Sequence, residues 1–478
     1  MRRTEPAEQA GPTQPAVTAG TADPAEVPLG RVRATAVTAA LLAGTLLAPL
    51  NSSIVAVGLD AVRRDFAIGF AEVSWLVTGF YLTACVAMPV AGRLADVYGP
   101  RSVFAAGMTV ASAASVAAPF VPTIELLVAC RCLLALGVSA SFPCLMVTLR
   151  RFGTPGRLSA VAVVNTTAGA IGPVVGGPAV AWLGWPAVFW VNLPLTCAAL
   201  VVALVLLPGR PPWAGRGPRR MPDLLGGLLF AGGLVLLLRA VLMHPVDVPS
   251  GLAALGVLGA FVAWELRVRT PFVDVRALRA APGMLAVLAG FVLFNLAYYA
   301  AFYGLPQWFQ GPLGLGPAQA GLLLFPLAAS SVLATVGGAR LLGPLSPLRL
   351  GLLALGLLLV GAVAVALLRP GSPIWLVVMV AALLGVPYGL GNLGMQQLMY
   401  DRSPPQLAGL SGGLFQSARY VGAILAVGAL GTLTPAAGDD AAPDVTGLGV
   451  AMAVIAVLGA VVLGTAARRH PAGPGTPR

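Results

Sequence analysis

Residues 92–101 read GRLADVYGPR, a short polar turn between two long apolar runs, and the chemistry of that turn decides the fold. Gly92 and Gly99 permit a tight connection between two helices. Asp96 stands between Arg93 and Arg101, where it can pair with either guanidinium and sit near the start of the next helix, whose dipole favours negative charge. The flanking runs, 72–95 and 101–120, are each long enough to cross a bilayer, which takes roughly 20 apolar residues. The turn therefore lies at a membrane face. It is either a topological anchor or a latch that engages in one conformational state only.

Working outward, the same pattern repeats along the chain. Of 478 residues 58% are hydrophobic and 10% charged, against about 25% charged in a soluble domain. Apolar periodicity predicts helices near 36–59, 72–95, 101–120, 123–149, 158–183, 186–207, 222–243, 250–268, 282–307, 317–336, 348–368, 373–399, 406–433 and 446–467. The chain is thus expected to be an all-α integral membrane protein with about fourteen transmembrane helices. All 29 basic residues are arginine and the net charge is +12. They concentrate in alternate loops, among them Arg150, Arg151 and Arg157, then Arg216, Arg219 and Arg220, then Arg267, Arg269, Arg276 and Arg279. That alternation places both termini in the cytoplasm, and the abundance of Ala, Gly, Pro and Arg, as in a GC-rich genome, points to a bacterial plasma membrane. Basic charge threaded between apolar runs also argues against nucleic acid as a partner.

The domain plan follows from composition. Residues 1–35, rich in Ala, Pro, Thr and Glu, read as a disordered tail, and 36–207 as a first bundle of six helices. PGRPPWAGRGPRRMP, within 208–222, is too rich in Pro and Arg to span, which makes 208–221 a cytoplasmic linker. Two additional helices fill 222–268, a second six-helix bundle fills 282–467, and 468–478 is a tail. GARLLGPLSPLR at 338–349 echoes the opening turn in the second half, as repeated halves would. The five cysteines lie in apolar runs without CxxC pairs or neighbouring histidines. No metal site or cofactor is expected from them, and no constellation suggests an enzyme.

Several stretches together resemble the major facilitator superfamily, over nearly all of 36–467. GRLADVYGPR resembles that family's signature between helices two and three. Arg131, in RCLLALGVSA, matches its fourth-helix arginine. AIGPVVGGPAVAWLGW at 170–185 resembles the antiporters' glycine-proline motif, and FWVNLP follows in the form common among exporters. FYGLPQWFQGPLGLGPAQAGLLLFP at 302–326 and SARYVGAILAVG at 417–428 resemble the branch with fourteen helices. The resemblance implies a secondary-active multidrug-type exporter working by alternating access, commonly proton-coupled, with substrate held between two helix bundles.

Physical reading adds candidates. Gly172 and Gly176 lie one turn apart and make a small face for close helix approach, Pro173 removes a backbone hydrogen bond, and Gly177 extends the face; the motif is a static groove or an interface that rocks. An arginine at membrane depth costs on the order of 2.5–3.5 kcal/mol, so Arg131 and Arg419 are expected to face protein or water, contacting substrate or serving as tethers. Asn51, Trp75, Tyr81, Asn165, Asn295, Tyr299, Tyr303, Gln307 and Gln396 could line the cavity. Residues 295, 299 and 303 share one helix face.

One departure stands out. Where the exporter branch carries an aspartate in a run like LDxTIVNVALP, this chain reads LNSSIVAVGLD, with Asn51 in the acidic position; asparagine cannot exchange a proton near neutral pH. Protons, if coupled, would have to use Asp60, Glu72 or Glu125. Without a central carboxylate, neutral or anionic organic compounds are the expected substrates, carried by a monomer. The alternatives are a proton-independent uniporter or uptake carrier, or a non-transporting membrane sensor on the same scaffold.

Overall fold

A computed structural model describes residues 31–151, 158–206, 223–242, 247–268, 271–273, 275–280, 282–341, 344–402, 408–433 and 444–468. Its long helices, in chain order, are α1 (Arg31–Asp65), α2 (Trp75–Tyr98), α3 (Pro100–Ala117), α4 (Ile124–Val138, resuming as Ser141–Arg151), α5 (Leu158–Leu183), α6 (Asn192–Leu206), α7 (Leu224–Leu242) and α8 (Val248–Glu265). There follow α9 (Pro282–Gln310), α10 (Pro317–Leu323, resuming as Phe325–Leu341), α11 (Pro347–Ala366), α12 (Ile374–Arg402), α13 (Ala408–Leu433) and α14 (Val445–Arg468). Among the described residues twelve helices are long and apolar enough to cross a membrane; the apolar stretches Thr167–Leu183 and Leu224–Leu237 are shorter.

Two features depart from the sequence reading. The first helix already begins at Arg31, inside the stretch read as a tail, because residues 31–35 contain no helix breaker. The fourth and tenth helices are each interrupted. Pro143 and Pro326 lack the amide that would continue the ladder, and just before them the chain tightens, with Ala140 N donating to Gly137 O and Leu324 N to Gly321 O. Other helices run through interior prolines, among them Pro49 in α1, Pro89 in α2, Pro178 in α5, Pro306 in α9 and Pro387 in α12.

Packing groups the helices. α1 packs on α5 and α6, α3 on α4 and α6, and α2 on α4; later in the chain α9 packs on α13 and α14, α10 on α12, and α11 on α12 and α14. The contacts joining these groups include α5 with both pieces of α10, α2 with α13, and α1 with α9 and with the first piece of α10. α7 and α8 form a pair, and α7 also lies against α2 and α13, covering that seam.

The α3–α4 crossing is set by two glycines. A Cβ at Gly107 would stand 2.5 Å from the Gly137 carbonyl oxygen and 2.9 Å from the Ala140 Cβ. Backbone cannot yield as a side chain can, so Gly107→Val is expected to lower stability by about 1–3 kcal/mol. Chemical denaturation in detergent checks this; an unchanged midpoint would contradict it.

At the α7–α8 turn, Asp247 caps α8, accepting from Ser250 N (3.2 Å) and Ser250 Oγ (2.6 Å), with Arg239 Nε at 3.3 Å. The Ser250 hydrogen bonds, followed by the Arg239 charge, hold its carboxyl below the usual carboxylate range. A depressed folded pKa gives stabilisation that is present at neutral pH and disappears as pH falls through it. Asp247→Ala is therefore expected to speed amide exchange at Ser250 at pH 7, and to differ little from wild type once acid has protonated the cap.

Candidate functional site

Arg131, on α4, is only 1% exposed, and its surroundings contain amides where an ion pair would be expected. Nη1 donates to Asn51 Oδ1 and Nη2 to the Asn51 backbone oxygen, both at 2.9 Å. The guanidinium lies over Phe80 at 4.7 Å and Phe189 at 5.8 Å from the ring centroids, which supplies cation–π stabilisation. Asn51 in turn donates to Asn192 Oδ1 (2.7 Å) and to the Leu47 carbonyl (2.8 Å). Asn192 returns a bond to Asn51 Oδ1 at 3.0 Å and reaches the Val188 and Phe189 carbonyls. One arginine thus ties α1, α2, α4 and α6 together, with only its Nε unpartnered among the described residues.

A second cluster lies where α2 meets α9, α12 and α13. Six of the protein's eight tyrosines occupy it. Tyr81 of α2 stacks on Tyr420 (5.1 Å, 29°), and its hydroxyl lies 2.9 Å from that of Tyr303. Tyr298 stacks on Tyr388 at 4.0 Å, and Tyr299 on Tyr303 at 5.9 Å. Arg419 is part-buried here and donates from Nη2 to Asn392 Oδ1 at 2.8 Å, while its Nε is buried without a partner among the described residues. The clusters join through Tyr303, whose hydroxyl donates to the Ser52 carbonyl at 3.4 Å. Among the described residues neither Arg131 nor Arg419 has a carboxylate within ion-pair distance.

The glycine motif on α5 serves two contacts. Gly172 and Gly176 press on α1: a Cβ would stand 3.2 Å from the Leu50 carbonyl oxygen at Gly172, and 2.9 Å from Ile54 Cγ2 at Gly176. Gly177 faces α10 instead, where a Cβ would meet Pro317 O at 2.8 Å and Ala318 Cα at 3.2 Å. In the α2–α3 turn, Gly99 adopts φ 89°, a conformation glycine tolerates, and Gly92 approaches Pro143 of α4. Arg101 Nη2 donates to the Leu204 carbonyl at 2.6 Å, which suits a cation at the C-terminal end of α6. The side chains of Arg93, Asp96, Asn165 and Pro173 lie outside the described residues.

The sequence profile of the Major Facilitator Superfamily matches residues 41–427. The chain belongs to the major facilitator superfamily. It is 35% identical over 408 residues to the "Uncharacterized MFS-type transporter YwoD" of Bacillus subtilis (strain 168), covering 82% of this chain and 89% of the relative. It is 30% identical to the tetracenomycin C resistance and export protein of Streptomyces glaucescens, covering 85% and 77%. With the puromycin resistance protein pur8 of Streptomyces alboniger the identity is 31%, covering 83% and 81%. Among solved structures, the POT family transporter PepTSo aligns with a TM-score of 0.67 at 14% identity, over 93% of this chain and all of that one; this likeness concerns the fold. The protein is a multi-span transporter of the plasma membrane, with drug resistance and export proteins among its relatives.

Within this major facilitator fold, the expected cavity residues separate. Asn51 and Arg131 share the first cluster, and Tyr81, Tyr299, Tyr303 and Arg419 the second. Gln307 donates to the Tyr303 carbonyl at 2.9 Å, and buried Asn295 donates to the Phe291 carbonyl at 2.8 Å, close under Gly422 of α13. Trp75 and Gln396 are not brought to the clusters: at 1.5 Å rise per residue they stand about 9 Å from Tyr81 and about 12 Å from Tyr388 along their helices. The acids suggested as proton sites are otherwise engaged or exposed. Asp60 pairs with Arg63 and Arg64, Glu72 accepts from Gly69 N, and Glu125 is exposed in the first turn of α4. Asn192 and Tyr420 were not anticipated. Each was visible as a polar group within an apolar helix, next to a motif already noted: Asn192 in FWVNLP and Tyr420 beside Arg419. Glu265, the last residue of α8, is 1% exposed and accepts from Val273 N at 3.0 Å.

Proposed function

We propose that the protein is a secondary-active exporter of small organic compounds, working by alternating access as a monomer and preferring neutral or anionic substrates. The observation that carries the reading is the pair of guanidiniums, Arg131 buried inside the first helix group and Arg419 in the tyrosine cluster where the groups meet, with no carboxylate in ion-pair contact among the described residues. Relatives named for tetracenomycin C export and puromycin resistance support the outward direction. In this proposal fourteen helices span, both termini are cytoplasmic, 36–207 and 282–467 form the two rocking bundles joined by the linker 208–221, and 222–268 flanks them. The turn at Gly92, Arg93, Asp96, Gly99 and Arg101 acts as the cytoplasmic gate. An efflux assay in a pump-deficient host tests the charge preference. Resistance to anionic and neutral compounds is expected; strong resistance to quaternary ammonium dyes instead would sink it.

A second reading, a carrier independent of protons, is favoured by Asn51. Amide, guanidinium and phenol groups do not titrate near neutral pH, and Asn51 and Asn192 bond each other as fixed partners. Wild-type flux in vesicles is expected to follow the substrate gradient and ignore an imposed pH gradient. Asn51→Asp puts a titratable carboxylate 2.9 Å from Arg131, and pH-dependent flux is expected to appear. Coupling already present in wild type and unaltered by the substitution would exclude this reading.

A further inference from the structure

We infer that the site formed by Tyr81, Tyr299, Tyr388, Tyr420 and Arg419 accepts planar aromatic compounds carrying a carboxylate or phenolate, an inference that rests on the exporter reading. Shape comes first. Tyr81 of α2 stacks across the groups on Tyr420 of α13 at 5.1 Å and 29°, and within the second group Tyr298 of α9 stacks on Tyr388 of α12 at 4.0 Å and 14°. A planar ligand can replace one member of such a stack and keep the other's face contact, which an aliphatic chain cannot do.

Charge then selects among flat molecules. Ring faces alone attract cations, but this cluster already holds a positive charge: Arg419, next in the chain to Tyr420, bonds Asn392, which itself donates to the Tyr388 carbonyl. Its partner is the neutral Asn392 amide, and its Nε is buried with no acceptor among the described residues. Arg131 adds a second positive charge but has committed its Nη donors to Asn51. Arg419 is thus the cation with donor capacity to spare, and a ligand oxyanion completes it with a charge-assisted hydrogen bond. The phenols of Tyr81 and Tyr303, which meet each other at 2.9 Å across the two helix groups, become further donors once the groups part. A lipophilic cation would stand beside two uncompensated guanidiniums.

The test uses wild-type protein in nanodiscs and four probes: anthracene-9-carboxylate, its methyl ester, the cation 9-aminoacridine, and octanoate. Anthracene-9-carboxylate is expected to bind at least tenfold more tightly than 9-aminoacridine or octanoate. Arg419→Gln should weaken the carboxylate about tenfold and leave the ester unchanged, while Arg419→Lys keeps the preference. Tyr420→Leu should weaken both anthracene probes and spare octanoate. Equal or tighter binding of 9-aminoacridine, or an unchanged carboxylate-to-ester ratio in Arg419→Gln, overturns the inference. Should that variant not assemble, the four-probe comparison on wild type decides alone. Flux in proteoliposomes separates the two readings. Export of other compounds without anthracene-9-carboxylate binding sinks this inference and leaves the exporter, whereas the expected binding pattern with no flux of any compound sinks the exporter and leaves the site.

Discussion

Arg131→Ala is expected to destabilise the protein by about 3 kcal/mol or more, the sum of two hydrogen bonds from a charged donor at about 1.5–3 kcal/mol each. The truncation strips the Asn51 oxygens of two donors at 2.9 Å and leaves a cavity under Phe80 and Phe189. Lost charge-assisted hydrogen bonds and lost packing both contribute. Arg131→Lys keeps the charge but cannot fork to both Asn51 oxygens, so it should fall between alanine and wild type. Denaturant midpoints in detergent, with ligand absent, measure this directly. If the alanine variant unfolds like wild type, Arg131 is not the tether that its geometry describes.

Gly177→Val is expected to abolish transport, with flux down a hundredfold or more, while the purified protein stays folded. The added side chain runs into backbone, Pro317 O at 2.8 Å and Ala318 Cα at 3.2 Å, and backbone of a packed helix does not move aside. Because the clash falls between α5 and α10, it can be relieved by parting the two helix groups, and the closed seam is what is lost. Gly176→Val makes the contrast. Its clash is with Ile54 of α1, inside one group, so it should lower stability first. Flux in proteoliposomes and unfolding midpoints on both variants check the pair; normal transport by Gly177→Val would refute the argument.

The helical architecture was legible because apolar run length and loop arginines report on the bilayer without tertiary information. The breaks in α4 and α10 were less so: Pro143 and Pro326 interrupt their helices, whereas Pro49, Pro306 and Pro387 do not, and neighbours decide which occurs. At the site, the cost of burying charge marked Arg131 and Arg419 from sequence, and the four-residue spacing of Asn295, Tyr299 and Tyr303 put them on one face. What spacing could not supply was the partner. Arg131 reaches Asn51, 80 residues away, and Asn51 reaches Asn192, 141 residues away. Only the packed bundle brings them within 3 Å. The two arginines therefore looked equivalent in sequence, yet one commits both Nη groups to Asn51 and the other bonds Asn392 through Nη2.

Two guanidiniums without carboxylate partners among the described residues have an electrical consequence. The membrane voltage does work of about 2.3 kcal/mol on one charge moved fully across 100 mV. Each tenth of the bilayer through which Arg131 or Arg419 shifts during a cycle is then worth roughly 0.2 kcal/mol per 100 mV. The empty carrier would feel that force on both residues, and a bound anion would cancel part of it. Loaded and unloaded forms would accordingly differ in how steeply their turnover depends on voltage.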